Sequence, residues 1–262
     1  MTARRLAAAG MLLAAVLAGP LGVTATSAPA PAGWAVLVEY NSYTGRYPEL
    51  PVGYVNSARM LDALARLGWP PDHILLVRDS RDPAVLRHAL AWLAGRVRAE
   101  DTALFYLAGE YQFFDRDLAW GMTMPALWRR VKTPHRVLIV ETCFAERLTA
   151  PVAGMSGLGL PAVGRDELDW WGLRDAGPVI RGGSFTYFLA RALERQPTDG
   201  PPDFAGAFVT AVAGAREYFR GVVAAIPDAL GSFHARNSYP ERLATFPNPH
   251  LVEDAGGRAA AP

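Results

Sequence analysis

Val137-Leu138-Ile139-Val140-Glu141-Thr142-Cys143-Phe144-Ala145 is the stretch whose reading decides the fold. Four consecutive apolar residues, β-branched at both ends, are too few for a helix and have no polar face. They suit a strand buried on both sides, as strands of parallel sheets are. The acidic residue, the small hydroxyl residue and the only cysteine of the chain follow at once. In a parallel sheet, chemistry collects beyond the carboxyl ends of the strands. Glu141 and Cys143 therefore stand where a site is expected.

Working outward, the same apolar grammar repeats. Thr102 to Leu107 predicts another strand, ending in Ala108-Gly109-Glu110-Tyr111, and Trp34 to Tyr40 a third. His73 to Val77 predicts a fourth, and Leu158 to Val163 a weaker fifth. Between them lie amphipathic segments. Met60, Leu61, Leu64 and Leu67 recur at helical spacing and stop at Gly68. Leu86, Ala89, Leu90, Leu93 and Val97 line one face of a helix that Pro83 opens. Further helices are predicted over Ser184 to Glu194 and Phe204 to Val223, and the proline-bearing stretch from Ile226 onward reads as loop. Apolar runs alternating with amphipathic helices predict an α/β chain with a mostly parallel sheet covered on both faces.

Composition narrows the function classes. The 262 residues are 51% hydrophobic and 19% charged, which excludes a disordered chain. Basic and acidic side chains number 26 and 25, for a net charge of +1, so no basic excess points to nucleic acid and no basic stripe to a membrane surface. Arg4 and Arg5 precede an apolar run from Leu6 to Ala18, and small residues follow Pro20, the pattern of a secretory signal. Residues 1–25 are thus expected to be a signal peptide, 26–33 a linker, 34–225 one domain and 226–262 a loop-rich tail. Export follows, with no membrane association after cleavage. A lone cysteine in an oxidising compartment cannot close an internal bridge, so Cys143 is a buried small hydrophobe, an intermolecular link or a thiol with a task.

Several short motifs keep a recognisable order from about residue 34 to 220. Glu141-Thr142-Cys143 after an apolar strand is similar to the nucleophile segment of the caspase, metacaspase and legumain superfamily of cysteine peptidases. Asn56-Ser57-Ala58 resembles the first helix start of caspase-like domains. Phe105-Tyr106-Leu107-Ala108-Gly109 looks like the lead into their catalytic His-Gly, and Gly183-Ser184-Phe185-Thr186-Tyr187 like a later helix start. The resemblance implies a caspase-like three-layer α/β/α sandwich. It also implies that Cys143 holds the nucleophile position and that the residue after Gly109 holds the general-base position. Glu141 and Glu39 would help line the pocket for a basic residue of a peptide, with Trp170 and Trp171 shaping the cleft. Backbone N–H groups of Tyr111 and Cys143 would stand at the oxyanion position.

This chain departs from the family at the decisive place. Where the resemblance calls for His-Gly, it has Glu110-Tyr111. An imidazolium stabilises the thiolate and protonates a leaving amine; a carboxylate opposes the thiolate and offers no such proton. Of the five histidines, His73 and His135 precede strands, His88 lies within a helix, and His234 and His250 lie in the tail. The sequence reading is therefore a degenerate peptidase fold that binds a peptide or protein ligand without a cofactor. An active cysteine endopeptidase and a carboxylate-based or metal-dependent hydrolase are its alternatives. Glu39, Glu110 and Glu141 at one sheet edge also predict a partner cation: an internal Arg such as Arg46, a basic ligand, or Ca²⁺ or Mg²⁺.

Overall fold

The computed structural model describes residues 30–43, 53–80, 82, 84–166, 169, 180–225 and 252–253. The chain divides into two units, Met1–Ala30 and Pro31–Pro262, and the second carries the fold described below. The predicted signal segment, Arg46, Pro83, Trp170, Trp171, His234 and His250 lie outside the described residues.

Five strands run parallel: β1 (Gly33–Glu39), β2 (Ile74–Arg78), β3 (Thr102–Ala108), β4 (Arg136–Glu141) and β5 (Leu158–Pro161). A short β6 (Val252–Glu253) adds antiparallel to β5, giving the order β2-β1-β3-β4-β5-β6. The tail, expected to be loop, thus returns to the sheet at these two residues. Every residue of β4 is buried, as is every residue of β3 after Thr102. Burial on both faces is what their unbroken apolar runs require.

The helices are α1 (Val55–Arg66), α2 (Val85–Ala94), α3 (Trp120–Trp128), α4 (Ala145–Thr149), α5 (Ser184–Leu193) and α6 (Phe204–Ala225). Five of them fall into two groups, α1 with α5 and α6, and α2 with α3, while α4 packs against β4 and β5. Both α1 and α2 pack on β1, so the sheet lies between helices in an α/β arrangement. Helix α1 buries Met60, Ala63 and Leu64 on one stripe. It stops as the glycine predicts: Gly68 takes φ +81°, and its N–H and that of Trp69 bond back to Ala65 and Leu64. Helix α3 has no counterpart among the helices that the sequence predicts. Among the described residues, no helix is long and apolar enough to cross a membrane.

The amino edge is closed by a clasp. Asp101 accepts hydrogen bonds from the N–H groups of Ala32 (2.8 Å) and Arg98 (2.9 Å) and from the Arg98 guanidinium (2.7 Å). Burial pushes its carboxyl up, but these donors outweigh burial and hold it down at about 2.

Candidate functional site

The strand register sets the geometry of the opposite, carboxyl edge. Glu39 of β1 pairs with Ala108 of β3, and Ala108 with Glu141 of β4. The ladder continues one step, with Tyr40 N–H bonded to Ala108 O (3.0 Å) and Gly109 N–H to Glu141 O (3.2 Å). Because β2 and β3 flank β1 on opposite sides, the chain reverses its winding between β1 and β3. In open α/β sheets the crevice at such a reversal is the usual ligand site. Glu39 ends β1 and Glu110 follows β3, one on either side of that reversal, and Cys143 lies two residues beyond β4.

Each of the three glutamates proves to be engaged by the start of a helical segment. Glu39 is fully buried and accepts the N–H groups of Asn56 (3.2 Å) and Ser57 (2.7 Å) at the start of α1. Burial raises its carboxyl pKa, and the Ser57 and Asn56 contacts and the Arg78 charge oppose the rise. Glu141, also fully buried, accepts the Thr186 N–H (2.5 Å) and the Thr186 hydroxyl at the start of α5. Burial pushes it up to about 7, against the pull of Thr186, the Asp169 side chain and the Phe185 N–H. Glu110 is raised by burial too, and its one opposing contact is the N–H of Gln112, in the helical turn that follows it. Helix starts carry unsatisfied N–H groups and a partial positive charge, so they help to neutralise a buried acid. Of the cations expected to partner these acids, Arg78 acts on Glu39 and Arg59 on Glu141 and Glu39 through their charges, and Arg46 lies outside the described residues. The described residues include no group of three or more His, Cys, Asp or Glu able to hold a metal ion.

Hydrogen bonds beside the two buried acids join the starts of α1 and α5 and tie α5 to β3. The Asn56 side-chain oxygen accepts the Gly183 N–H (2.8 Å), and the Tyr106 hydroxyl bonds the Thr186 hydroxyl (2.7 Å). Gly183 has to be glycine, since a Cβ there would stand 2.0 Å from a Glu141 oxygen. Arg59 bonds the Arg181 carbonyl and lies over the Tyr187 ring at 5.0 Å. Neither Glu39 nor Glu141 presents a carboxylate to solvent, so the pocket-lining role implied for them has no exposed oxygen behind it.

Cys143 is half-buried at the β4 exit. Its thiol is pushed up to about 12, first by burial and next by the Asp169 charge, with Glu110 adding to the rise. The backbone N–H of Asp169 is directed to the sulfur and acts the other way. A thiol so placed is protonated at neutral pH and is a poor nucleophile. The Glu110 charge opposes ionisation of the Cys143 thiol, where an imidazolium would favour it.

The rest of the edge is aromatic. Tyr111 meets Phe144 edge-on at 5.3 Å, and Arg147 lies over the Phe144 ring at 5.0 Å while holding Asp166 at 2.7 Å. The Glu110 N–H is bonded to the Tyr43 hydroxyl (2.7 Å), which itself donates to Tyr40 O (2.8 Å). Gly109 permits that contact, because its φ is +147° and a Cβ would come within 2.6 Å of the Tyr43 oxygen. None of the three described histidines reaches this edge. His73 stacks on Trp34 at 3.6 Å beside the start of β1. His135 bonds Ala103 and Thr133 at the amino edge. His88 stands exposed on α2, 3.8 Å from Asp82.

Asp169 is the residue that sequence reasoning missed. It lies in Asp166-Glu167-Leu168-Asp169, a polar stretch next to the tryptophans, and no spacing rule distinguishes it from its acidic neighbours. Only the fold brings it, buried at 8% exposure, to both Glu141 and Cys143. No protein-family model matches this chain, and no curated protein is similar to it.

Proposed function

We propose that this chain is an exported, caspase-like domain that has lost cysteine-peptidase chemistry and binds a peptide or protein ligand at the carboxyl edge of its sheet. The observation that carries the reading is the environment of Cys143, a thiol at about 12 set among the acids Asp169 and Glu110. Peptidase attack needs a thiolate at neutral pH and a proton donor for the leaving amine. Burial and both neighbouring acids oppose the first, and a carboxylate in the histidine position opposes the second. The fold assignment is supported by the winding reversal between β1 and β3, by the cysteine directly after β4, and by helix starts at Asn56 and Gly183 that resemble the family's. Ligand binding is supported by the half-buried Tyr111–Phe144 pair beside the thiol, an amphipathic surface suited to peptide contact. Export is supported by the Arg4-Arg5 and Leu6 to Ala18 pattern.

Two measurements test it. Wild-type protein and Cys143→Ala are compared on a mixed library of Arg- and Lys-containing peptides, and equal, background-level cleavage is expected. Cleavage that vanishes in Cys143→Ala would establish an active cysteine endopeptidase instead. Peptides selected from a displayed random library against the folded chain should slow iodoacetamide labelling of Cys143. Binders that leave labelling unchanged would place the ligand elsewhere.

A further inference from the structure

Charge is not spread evenly over the two helical groups. No Asp or Glu occurs from Pro83 to Ala99 or from Leu118 to Val140, the stretches that hold α2 and α3. Arg87 on α2, Arg129 and Arg130 at the end of α3, and Lys132 just beyond it are all exposed. Among the described residues, none of these four makes an ion pair. Arg96 lies over the Trp92 ring at 4.5 Å, and Arg98 is taken by Asp101 and Glu100. The other group mixes signs, with Asp62 a turn before Arg66, Glu194 next to Arg195 and Arg216 next to Glu217. Soluble surfaces ordinarily intersperse the two signs, because exposed like charges repel one another. The near-neutral total hides this segregation, since the four cations are shared between two helices and a turn.

The cationic face also has an apolar centre. Met122 is 82% exposed and shares a stripe of α3 with Ala126, Arg129 and Arg130, which follow it by four, seven and eight residues. On the neighbouring α2, Ala91 is exposed a turn after Arg87. Methionine and arginine are both enriched where proteins meet, and an exposed methionine adapts to the surface it covers. An extended polyanion fits less well. With the total charge at +1 and this face wholly basic, the rest of the chain carries an acidic excess that a membrane or a duplex would also have to approach.

We propose that the α2–α3 face docks a partner protein through an acidic surface patch, with Arg87, Arg129, Arg130 and Lys132 meeting its carboxylates and Met122 covering an apolar spot between them. Such a contact forms quickly and weakens with salt, since exposed charges set encounter rates more than final affinity. It does not depend on the function proposed for the carboxyl edge.

The experiment measures binding of the full chain to fluorescent poly-L-glutamate and to a glutamate–tyrosine copolymer at about 0.05 M salt. Wild type should bind both, and the copolymer more tightly. The double change Arg129→Glu with Arg130→Glu should weaken both by at least about tenfold. Arg66→Glu with Arg195→Glu makes the same change in net charge, also at the ends of helices but in the other group, and should weaken them less than about threefold. Met122→Ser should abolish the copolymer's advantage and leave poly-L-glutamate binding as it was. Near-UV circular dichroism reports whether each variant is folded. If the Arg129 and Arg130 pair is not, Arg87→Glu with Lys132→Glu replaces it with the same expected loss. Four results would overturn the docking face: no binding by wild type, equal losses in the two groups, a copolymer advantage that survives Met122→Ser, or tighter binding to phosphatidylglycerol vesicles or duplex DNA than to the copolymer.

Discussion

Replacing Glu141 by glutamine separates the cost of burying an acid from the benefit of its hydrogen bonds. Glutamine keeps an oxygen for the Thr186 N–H and hydroxyl and gains an N–H₂ that donates to Asp169. It therefore imitates the protonated acid at every pH. The rise of Glu141 from 4.5 to about 7 is worth about 3 kcal/mol, at ~1.4 kcal/mol per pH unit. The sign follows from the direction. A carboxyl whose folded pKa lies above its unfolded one contributes stability that is complete below 4.5 and is lost as pH rises through about 7. Wild type and Glu141→Gln should therefore melt together at about pH 4.5, and the variant should become the more stable by up to about 3 kcal/mol at about pH 8.5. For a domain of this size that is a gap of roughly 6–12 °C in Tm. Glu39 and Glu110, also raised by burial, tilt both curves alike and leave the difference to Glu141. Thermal or urea melts across the pH range read the gap directly. Parallel curves, or a variant less stable at high pH, would refute the reasoning that Glu141 is buried against its charge.

Glu39→Ala strips the α1 start of its acceptor and should lower stability by about 1–3 kcal/mol, with Glu39→Gln losing less; urea melts distinguish them. Asp101 is held down at about 2, so its contribution is present above 3.8 and disappears as pH falls through about 2. Asp101→Asn should accordingly flatten that acid limb of the stability curve. Gly183→Ala, with a Cβ 2.0 Å from a buried Glu141 oxygen, should cost at least about 2 kcal/mol by thermal melt, whereas the open position Gly200 should tolerate alanine. The double change Glu110→His with Tyr111→Gly should raise Cys143 labelling at neutral pH. An unchanged rate would mean that residue 110 does not act on the sulfur.

The parts of the fold that were legible owe it to short-range pattern. Val137–Val140 and Phe105–Leu107 are apolar without interruption because both faces of β4 and β3 are covered, and Gly68 ends α1 through its own backbone. Helix α3 escaped notice because Trp120, Met122, Met124, Leu127 and Trp128 leave no clear polar stripe, and Gly121 and Pro125 argue against a helix. Strand β6 is two residues long, too short for any alternation. At the site, the juxtaposition of Glu39, Glu110, Glu141 and Cys143 follows from strand order. Their partners do not, since the amides that meet Glu39 and Glu141 come from residues 17, 18 and 45 positions away. A sequence shows a buried acid and suggests a cation. Which helix start is aimed at it depends on how α1 and α5 settle on the sheet.

Whether Cys143 is an unactivated thiol is tested most directly by titrating it. The ultraviolet thiolate absorbance of wild type minus that of Cys143→Ala, followed across pH in the folded protein, isolates this one group. Burial together with the Asp169 and Glu110 charges holds the thiol at about 12. The expected result is no thiolate signal below about pH 9, with the signal appearing only toward the alkaline limit of the fold. A half-complete titration below about pH 7.5, where activated cysteines ionise, would contradict the account and restore Cys143 as a nucleophile.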